Sequence, residues 1–496
     1  MKSLTSQISN SLLIGLSVSL AALSIFTYLG FSSAGGYLGF PLDDAWIHQT
    51  YARNLGQRGE FAFMPGVPSA GSTSPLWSYF LSVGYVLRLE PRLWTYFLGA
   101  LALALNAYLA GKLAQSLWPE FKTGVIALVA AAVALEWHLS WAAASGMETA
   151  LFAACALAVF TLPPTRPVLL GLLVGASMLL RPDGLTLLPF ALARVLPAPP
   201  FFPVLSSPNN EKNAWLRVLL GFLMFFIPYL GFNYWLAGAI WPNTFYAKQA
   251  EYAILRQFPL WQNAWNVLQQ PLLGAQALLL PGWLALVWRA ARERRWAHLV
   301  PLLWVGAYLA AYILRLPVTY QYGRYVMPVI PILVTLGVGG LAGLVRPAAE
   351  KFLTRIFSRV WLLAVVILWL GFWGYGALLY LRDVRIIETE MVATAKWVAA
   401  NTPPGAVIAA HDIGALGYFG ERRLLDLAGL ISPEVIPFIR DEARLTEWLT
   451  TSGAQYLVTF PDWYEHLADG REKLFGTTAP YSPAAGGTNM AVYRWP

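Results

Sequence analysis

The sequence predicts a polytopic α-helical membrane protein with a small C-terminal α/β domain, and three observations predict it. Its 496 residues are 57% hydrophobic and only 12% charged, whereas soluble domains carry about 25% charged residues. Apolar runs, many near the roughly 20 residues that cross a bilayer, recur until about residue 381. From 382 onward the composition turns to mixed polar and apolar segments.

The apolar runs fall at 11–30, 93–112, 121–141, 147–162, 167–180, 184–200, 215–236, 269–289, 297–315, 324–345 and 360–381. Read as spans, they give about 11 transmembrane helices in a module over 1–381, with a first external loop at 31–92. The run after Ser11 resembles a signal peptide but lacks a cleavage site, so it is expected to be an uncleaved first helix. Within the loop, "SPLWSYFLSVGYVLRLE" (74–90) has barely a dozen apolar residues before Arg88. That length suits a helix lying at the interface better than a crossing.

Basic residues cluster in short loops, notably "RAARERR" at 289–295 and the 346–359 loop. Placing those loops in the cytoplasm follows the positive-inside bias. The N-terminus then lies inside, and residues 382–496 form an extracytoplasmic domain of a plasma or inner-membrane protein. The net charge of +8 is accounted for by these loops and points to no nucleic acid. The single cysteine, Cys155, excludes an intrachain disulfide.

In the C-terminal segment, "VRIIETEMVATAKWVAANTPPGAVIAA" reads as an amphipathic helix, a turn at 402–405 and a short strand. "RDEARLTEWLT" reads as a further helix and "AQYLVTF" as a further strand.

By this topology the polar residues gather on one face. "GFPLDDAWIHQTYARNL" puts Asp43, Asp44 and His48 just past the first span. An aspartate before "AWIHQTYARNL" would also serve as a helix N-cap. "SGMETA" adds Glu148, "LLRPDG" adds Arg181 and Asp183, and "WPNTFYAK" adds Asn243 and Lys248. "RLPVTYQYGRYVMP" adds Tyr320, Tyr322 and Arg324, and "HDIGALGYF" adds His411 and Asp412. Charges near membrane depth are costly and usually face a cavity or a partner. Carboxylates beside arginines and a lysine suit a site that holds a phosphate and moves a proton. The bland alternatives are that Lys248 anchors at the interface, that Asp183 only pairs with Arg181, and that His48 is structural. No HExxH, Walker A or GxSxG motif occurs. A divalent cation on Asp43, Asp44 and Glu148 would rest on oxygen ligands alone, and the metal is left unknown.

The stretches "LDDAWIHQTYARNL", "STSPLW", "SGMETALF", "LLRPDG", "WPNTFYAK" and "DIGALGYF…DLAGLISPE" resemble the GT-C superfamily of integral-membrane glycosyltransferases. The likeness is nearest to the bacterial polyprenyl-phosphate-dependent arabinofuranosyltransferase-like branch, and it runs from Pro41 to about Glu434. It implies juxtamembrane helices in the first external loop and a soluble outer domain. It also implies a polyprenyl-phosphate-linked sugar donor, and a glycan, glycolipid or protein acceptor met at the membrane lipid surface.

The resemblance places the catalytic aspartate on Asp43 or Asp44. Asp43 is expected to be the base, with Asp44 orienting the acceptor or supporting a cation. Arg324, Arg181 and Lys248 would neutralise the donor phosphate, with Tyr320 and Tyr322 as hydrogen-bond donors or sugar platforms. Glu148, Asp183, Asn243 and His48 would support the site, and His411 and Asp412 would meet the acceptor. The donor sugar, arabinofuranose or a hexose, stays open. A transporter or flippase is the alternative, and it predicts essential groups at mid-bilayer or on both faces.

Overall fold

The computed structural model describes residues 8–196, 213–464 and 466–496. The chain opens with α1 (Asn10–Ala34), started by Ser9, whose side chain accepts from the Leu12 N–H. After the polar loop come α2 (Asp43–Arg58), a short hairpin of β1 (Ala62–Met64) and β2 (Val67–Pro68), and α3 (Pro75–Val86). Next stand α4 (Pro91–Leu117), α5 (Thr123–Ala134), α6 (Trp137–Ala144), α7 (Thr149–Thr161), α8 (Pro167–Leu180) and α9 (Leu188–Ala193). Beyond residue 212 follow α10 (Ala214–Ala237), α11 (Asn243–Glu251), α12 (Leu260–Gln269), α13 (Leu280–Arg292), α14 (Val300–Arg315), α15 (Tyr320–Gly323), α16 (Ile330–Ala342) and α17 (Phe352–Ile387).

The chain is a polytopic, mostly α-helical membrane protein, and of the about 11 expected transmembrane helices five to seven stand as candidate spans by length and composition among the described residues. Among the described residues, five helical stretches are long and apolar enough to cross by themselves: Asn10–Ala34, Pro91–Leu117, Ala214–Ala237, Tyr320–Ala342 and Phe352–Asn401. Two more arise if bent pairs count as single spans. One joins α5 to α6 at 52°, and the other joins Leu260–Leu272 to Ala275–Arg292 at 89°. The expected spans at 147–162, 167–180 and 297–315 are the shorter helices α7, α8 and α14. Each falls short of the roughly 20 residues of a full crossing. The run at 184–200 breaks into a 3-10 turn (Pro182–Leu187) and the six-residue α9. Its last residues, and most of the loop expected at 201–214, lie outside the described residues. Hydropathy counts apolar residues and is blind to bends at Pro and Gly, so it splits or joins spans that the backbone treats otherwise.

The helix α3 is twelve residues long and lies against α2. Its Trp77 indole donates to the Gly146 carbonyl at 2.8 Å. Ser74 at its start donates to the Leu180 carbonyl at 2.5 Å.

No break separates the last apolar helix from the C-terminal segment. Helix α17 continues through a π-turn (Glu388–Val392) into α18 (Ala393–Asn401). Inside that turn the buried Glu390 accepts from the Met490 N–H at 2.8 Å and the Asn489 amide at 2.9 Å, and from the Thr477 hydroxyl. One helix therefore belongs to both the bundle and the C-terminal β-sheet domain.

That domain holds β3 (Val407–Ala410), β4 (Arg423–Asp426), α19 (Glu442–Thr451), β5 (Tyr456–Thr459), β6 (Lys473–Gly476), α20 (Tyr481–Ala484) and β7 (Ala491–Arg494). The strands order as β4-β3-β5-β7-β6. The first three are mutually parallel, and β7 runs antiparallel to both β5 and β6. One core packs Leu425, Leu445, Leu449 and Leu457 on one side of the sheet. Ile408, Val458 and Val492 join the core of the helical bundle. The helix at 442–451 and the strands near 407 and 456 match the sequence expectation. The strands β4, β6 and β7 were not legible.

Candidate active site

Seven of the residues nominated from the sequence line one cavity of about 470 Å³: Asp44, His48, Glu148, Arg181, Asp183, Lys248 and Arg324. The start of α2, the 146–149 turn, the 181–186 turn, α11, the end of α14 and the residues after α15 surround it.

Helix α2 begins with its two aspartates in the first turn, where carboxylates favour the helix dipole. The N-cap residue is Leu42, so neither aspartate serves as the cap. Consecutive helical residues point about 100° apart, and the two carboxylates diverge. Asp44 turns into the cavity with its side chain about one-third exposed (34%) and accepts from Arg324. Asp43 is buried and turns toward the C-terminal domain, accepting from the Gly414 N–H at 2.6 Å and the Ala415 N–H at 2.8 Å. Gly414 is needed there, because a Cβ would overlap the Asp43 carbonyl oxygen.

The two environments drive the carboxyls apart. Burial opposes charge on Asp44, yet Arg324 and Lys248 hold its carboxyl well below the usual carboxylate range. Burial and the neighbouring Asp412 charge push Asp43 up to about 8, against its two backbone hydrogen bonds. Asp43→Ala would strand two buried N–H groups, at roughly 1–3 kcal/mol for an unsatisfied buried donor. The expected result is a lower thermal midpoint of the detergent-solubilised protein. An unchanged midpoint would remove the latch between α2 and the C-terminal domain.

Arg324 donates to Asp44 and to the Tyr325 hydroxyl (3.1 Å), and its guanidinium sits 5.0 Å from the Tyr325 ring centroid. Its other terminal nitrogen, Nη1, is buried without a hydrogen-bond partner. Lys248 lies 5.1 Å from the same ring. Arg181, 5.6 Å from that ring as well, grips Asp183 (3.1–3.2 Å) and donates to the Tyr312 hydroxyl at 2.8 Å. Tyr308 and Tyr312 donate to the same Asp183 oxygen at 2.5 and 2.6 Å. Asp183 is therefore fully occupied as the acceptor that fixes Arg181.

Glu148 is buried, 3.8 Å from Arg181 and 3.7 Å from His48, and its Oε2 has no hydrogen-bond partner. Burial lowers the pKa of His48 despite the facing Glu148 carboxylate. Its Nδ1 lies 3.3 Å from both the Ser72 and Ser78 hydroxyls. Thr244 Oγ1, also on the cavity wall, is buried and unpartnered.

The other nominated residues lie elsewhere. Asn243 donates to the Leu430 carbonyl at 3.1 Å and ties α11 to the C-terminal domain. Tyr320 is exposed and packs on Tyr252, with centroids 5.8 Å apart. Tyr322 turns to Asp383 and Arg382. His411 bonds the Tyr464 hydroxyl at 2.7 Å and faces Glu251 at 3.5 Å. Asp412 follows it outside the cavity lining. Among the described residues no three His, Cys, Asp or Glu side chains group to hold a metal ion. Both Asp43 oxygens accept backbone N–H groups and Asp43 lies outside the cavity lining, so the structure does not bring Asp43, Asp44 and Glu148 together as one ligand set.

The sequence reading missed Tyr308 and Tyr312. Their signal was two tyrosines one helical turn apart in an apolar run, which share a face.

Comparison with solved structures places this architecture. ArnT from Cupriavidus metallidurans bound to undecaprenyl phosphate is 15% identical and superposes with a TM-score of 0.59 over 97% of each chain. The Archaeoglobus fulgidus oligosaccharyltransferase tethered with an acceptor peptide is 11% identical, with a TM-score of 0.59 over 96% of this chain and 74% of its own. AglB from the same organism, in complex with an inhibitory peptide and a dolichol-phosphate, is 11% identical, with a TM-score of 0.58 over 90% and 69%. The chain has the GT-C fold. Within that fold, residues 382–493 match a domain of unknown function (DUF8728). No curated protein matches the sequence.

Proposed function

We propose that the protein is a glycosyltransferase that moves a sugar from a polyprenyl-monophosphate donor to an acceptor hydroxyl on the extracytoplasmic face. The observation that carries this reading is the pairing, in one cavity, of the Asp44 carboxylate with Arg324, whose second terminal nitrogen is buried and unpartnered. A phosphate oxygen supplies the acceptor that nitrogen lacks. Undecaprenyl phosphate and dolichol-phosphate are the lipids bound in two similarly folded proteins.

Charge supports one phosphate over two. The cavity lining carries four cationic side chains (Lys248, Arg181, Arg315, Arg324) against three carboxylates (Asp44, Glu148, Asp183). A single phosphodiester neutralises the one charge left over, whereas a diphosphate would leave an uncompensated negative charge in a partly apolar cavity.

The chemistry follows from those positions. The acceptor oxygen attacks the anomeric carbon while Asp44 takes its proton. The bond from that carbon to the phosphate oxygen breaks, and Arg324 and Lys248 stabilise the departing polyprenyl phosphate. A phosphate on Arg324 also neutralises part of the charge that depresses Asp44, so donor binding makes the base stronger. One base and a good leaving group suffice for direct displacement with inversion, unlike the paired carboxylates of glycosidases. In this reading Asp43 holds α2 to the outer domain and Asp44 is the base. The sugar is arabinofuranose or a hexose, and the acceptor is a cell-envelope glycan, lipid or protein.

The test presents purified protein with short-chain polyprenyl-monophosphate and -diphosphate sugars and mixed glycan acceptors. Release of polyprenyl phosphate from a monophosphate donor, at least about tenfold faster than from its diphosphate counterpart, is the expected result. No release from any donor, with uptake of a labelled substrate into proteoliposomes, would turn the assignment to transport.

A further inference from the structure

We infer that Tyr322, clamped by Asp383 and Arg382, is a positioning residue that sets Arg324 against Asp44. The inference rests on the donor-phosphate role proposed for Arg324.

The backbone just before Arg324 is strained. Gln321 has φ 55° and ψ 50°, Tyr322 has φ 59° and ψ 32°, and Gly323 has φ 66°. Left-handed backbone is unfavourable for residues with a Cβ and persists only where surrounding structure enforces it. Only the third position is a glycine, and there Gln270 leaves no space for a side chain. Gln321 and Tyr322 must therefore be held in place.

The holding groups converge on Tyr322. Its hydroxyl donates to Asp383 Oδ2 at 2.8 Å and accepts from Arg382 Nη2 at 2.7 Å. Its ring meets the edges of Trp137 and Trp141, with centroids 5.4 and 5.5 Å away. The Trp141 indole donates to the same Asp383 oxygen at 3.2 Å. Tyr322 does not line the cavity, so its polar contacts are spent on this clamp and none faces the donor. Arg324 follows two residues later and bonds Asp44.

Releasing the Tyr322 hydroxyl lets residues 321 and 322 relax to the right-handed region, which rotates the following backbone and withdraws the guanidinium. Asp383 lies on the helix that continues into the C-terminal domain. Arg324 is thus held from the same element that carries that domain.

The experiment compares wild type, Tyr322→Phe, Asp383→Asn, and Asp383→Asn combined with Gln321→Gly. It measures donor and acceptor KM, kcat, the thermal midpoint, and calorimetric binding of a short-chain polyprenyl phosphate. The two single variants are expected to weaken polyprenyl phosphate binding and donor kcat/KM roughly tenfold, the scale of one left-handed residue. Acceptor KM is expected to stay unchanged. Because glycine adopts left-handed backbone freely, Gln321→Gly should restore most of the loss. A merely structural role would lower the thermal midpoint without that rescue, and that result overturns the inference. So does wild-type binding and turnover in Tyr322→Phe. If wild type transfers no sugar yet the variants weaken phosphate binding as stated, the positioning role stands and the transferase reading falls.

Discussion

Asp44→Asn is expected to lower transfer by roughly 10²–10⁴-fold, the usual contribution of a general base, with donor binding kept. The carboxylate is the acidic group at the cavity wall that shares a contact with Arg324. Substitution removes the proton acceptor and releases the guanidinium, which remains free to hold phosphate. Single-turnover transfer and equilibrium binding of polyprenyl phosphate in the same preparation check both halves. Asp43→Asn is the control. Its carboxylate faces the Gly414 and Ala415 N–H groups, so transfer should stay within about tenfold of wild type on this argument, in contrast to the loss of a base. If Asp43→Asn abolishes transfer and Asp44→Asn spares it, the base is Asp43, and α2 must turn on substrate binding.

Arg324→Gln is expected to lower kcat/KM for the donor by roughly 10²–10³-fold, the cost of losing one preorganised electrostatic contact to a developing charge. It should also change the pH profile. In the wild type the Asp44 carboxyl is held well below the usual range, chiefly against burial by Arg324. The base is therefore ionised through the whole neutral and mildly acid range and produces no acid limb there. Without the guanidinium, burial is opposed chiefly by Lys248, with a smaller contribution from His48, and the carboxyl rises. A base with a raised pKa is protonated at higher pH, so the variant should lose activity as pH falls through a range where wild type does not. Parallel profiles for the two enzymes would count against Asp44 as the base.

Much of the bundle was legible because burial in a bilayer demands long apolar runs. The starts of Asn10–Ala34 and Pro91–Leu117 are fixed by Ser9 and Glu90, whose side chains accept from the first turns, close to the expected runs at 11–30 and 93–112. The count of spans was not legible. The 89° bend before α13 and the break between α5 and α6 arise where Glu136, His138 and Gln276 hydrogen-bond one another in the interior. A single sequence does not show which polar residues meet. The short strands β6 and β7 were missed for a related reason: their pairing is antiparallel at the sheet's far edge, and nothing local in "KLFG" or "AVYR" announces it.

The sequence by itself determined a membrane protein and nominated seven polar residues that the fold brings to one cavity. Those follow from composition and from the cost of charge in hydrocarbon, which act wherever the chain goes. Only the tertiary structure decided which of two adjacent aspartates meets the cavity and that Tyr322 turns to Asp383 and Arg382 rather than to the cavity. Neighbours on a helix point about 100° apart, and packing against α3 and the C-terminal domain sets the rotation of α2. That rotation turns Asp44 toward the cavity and Asp43 toward Gly414.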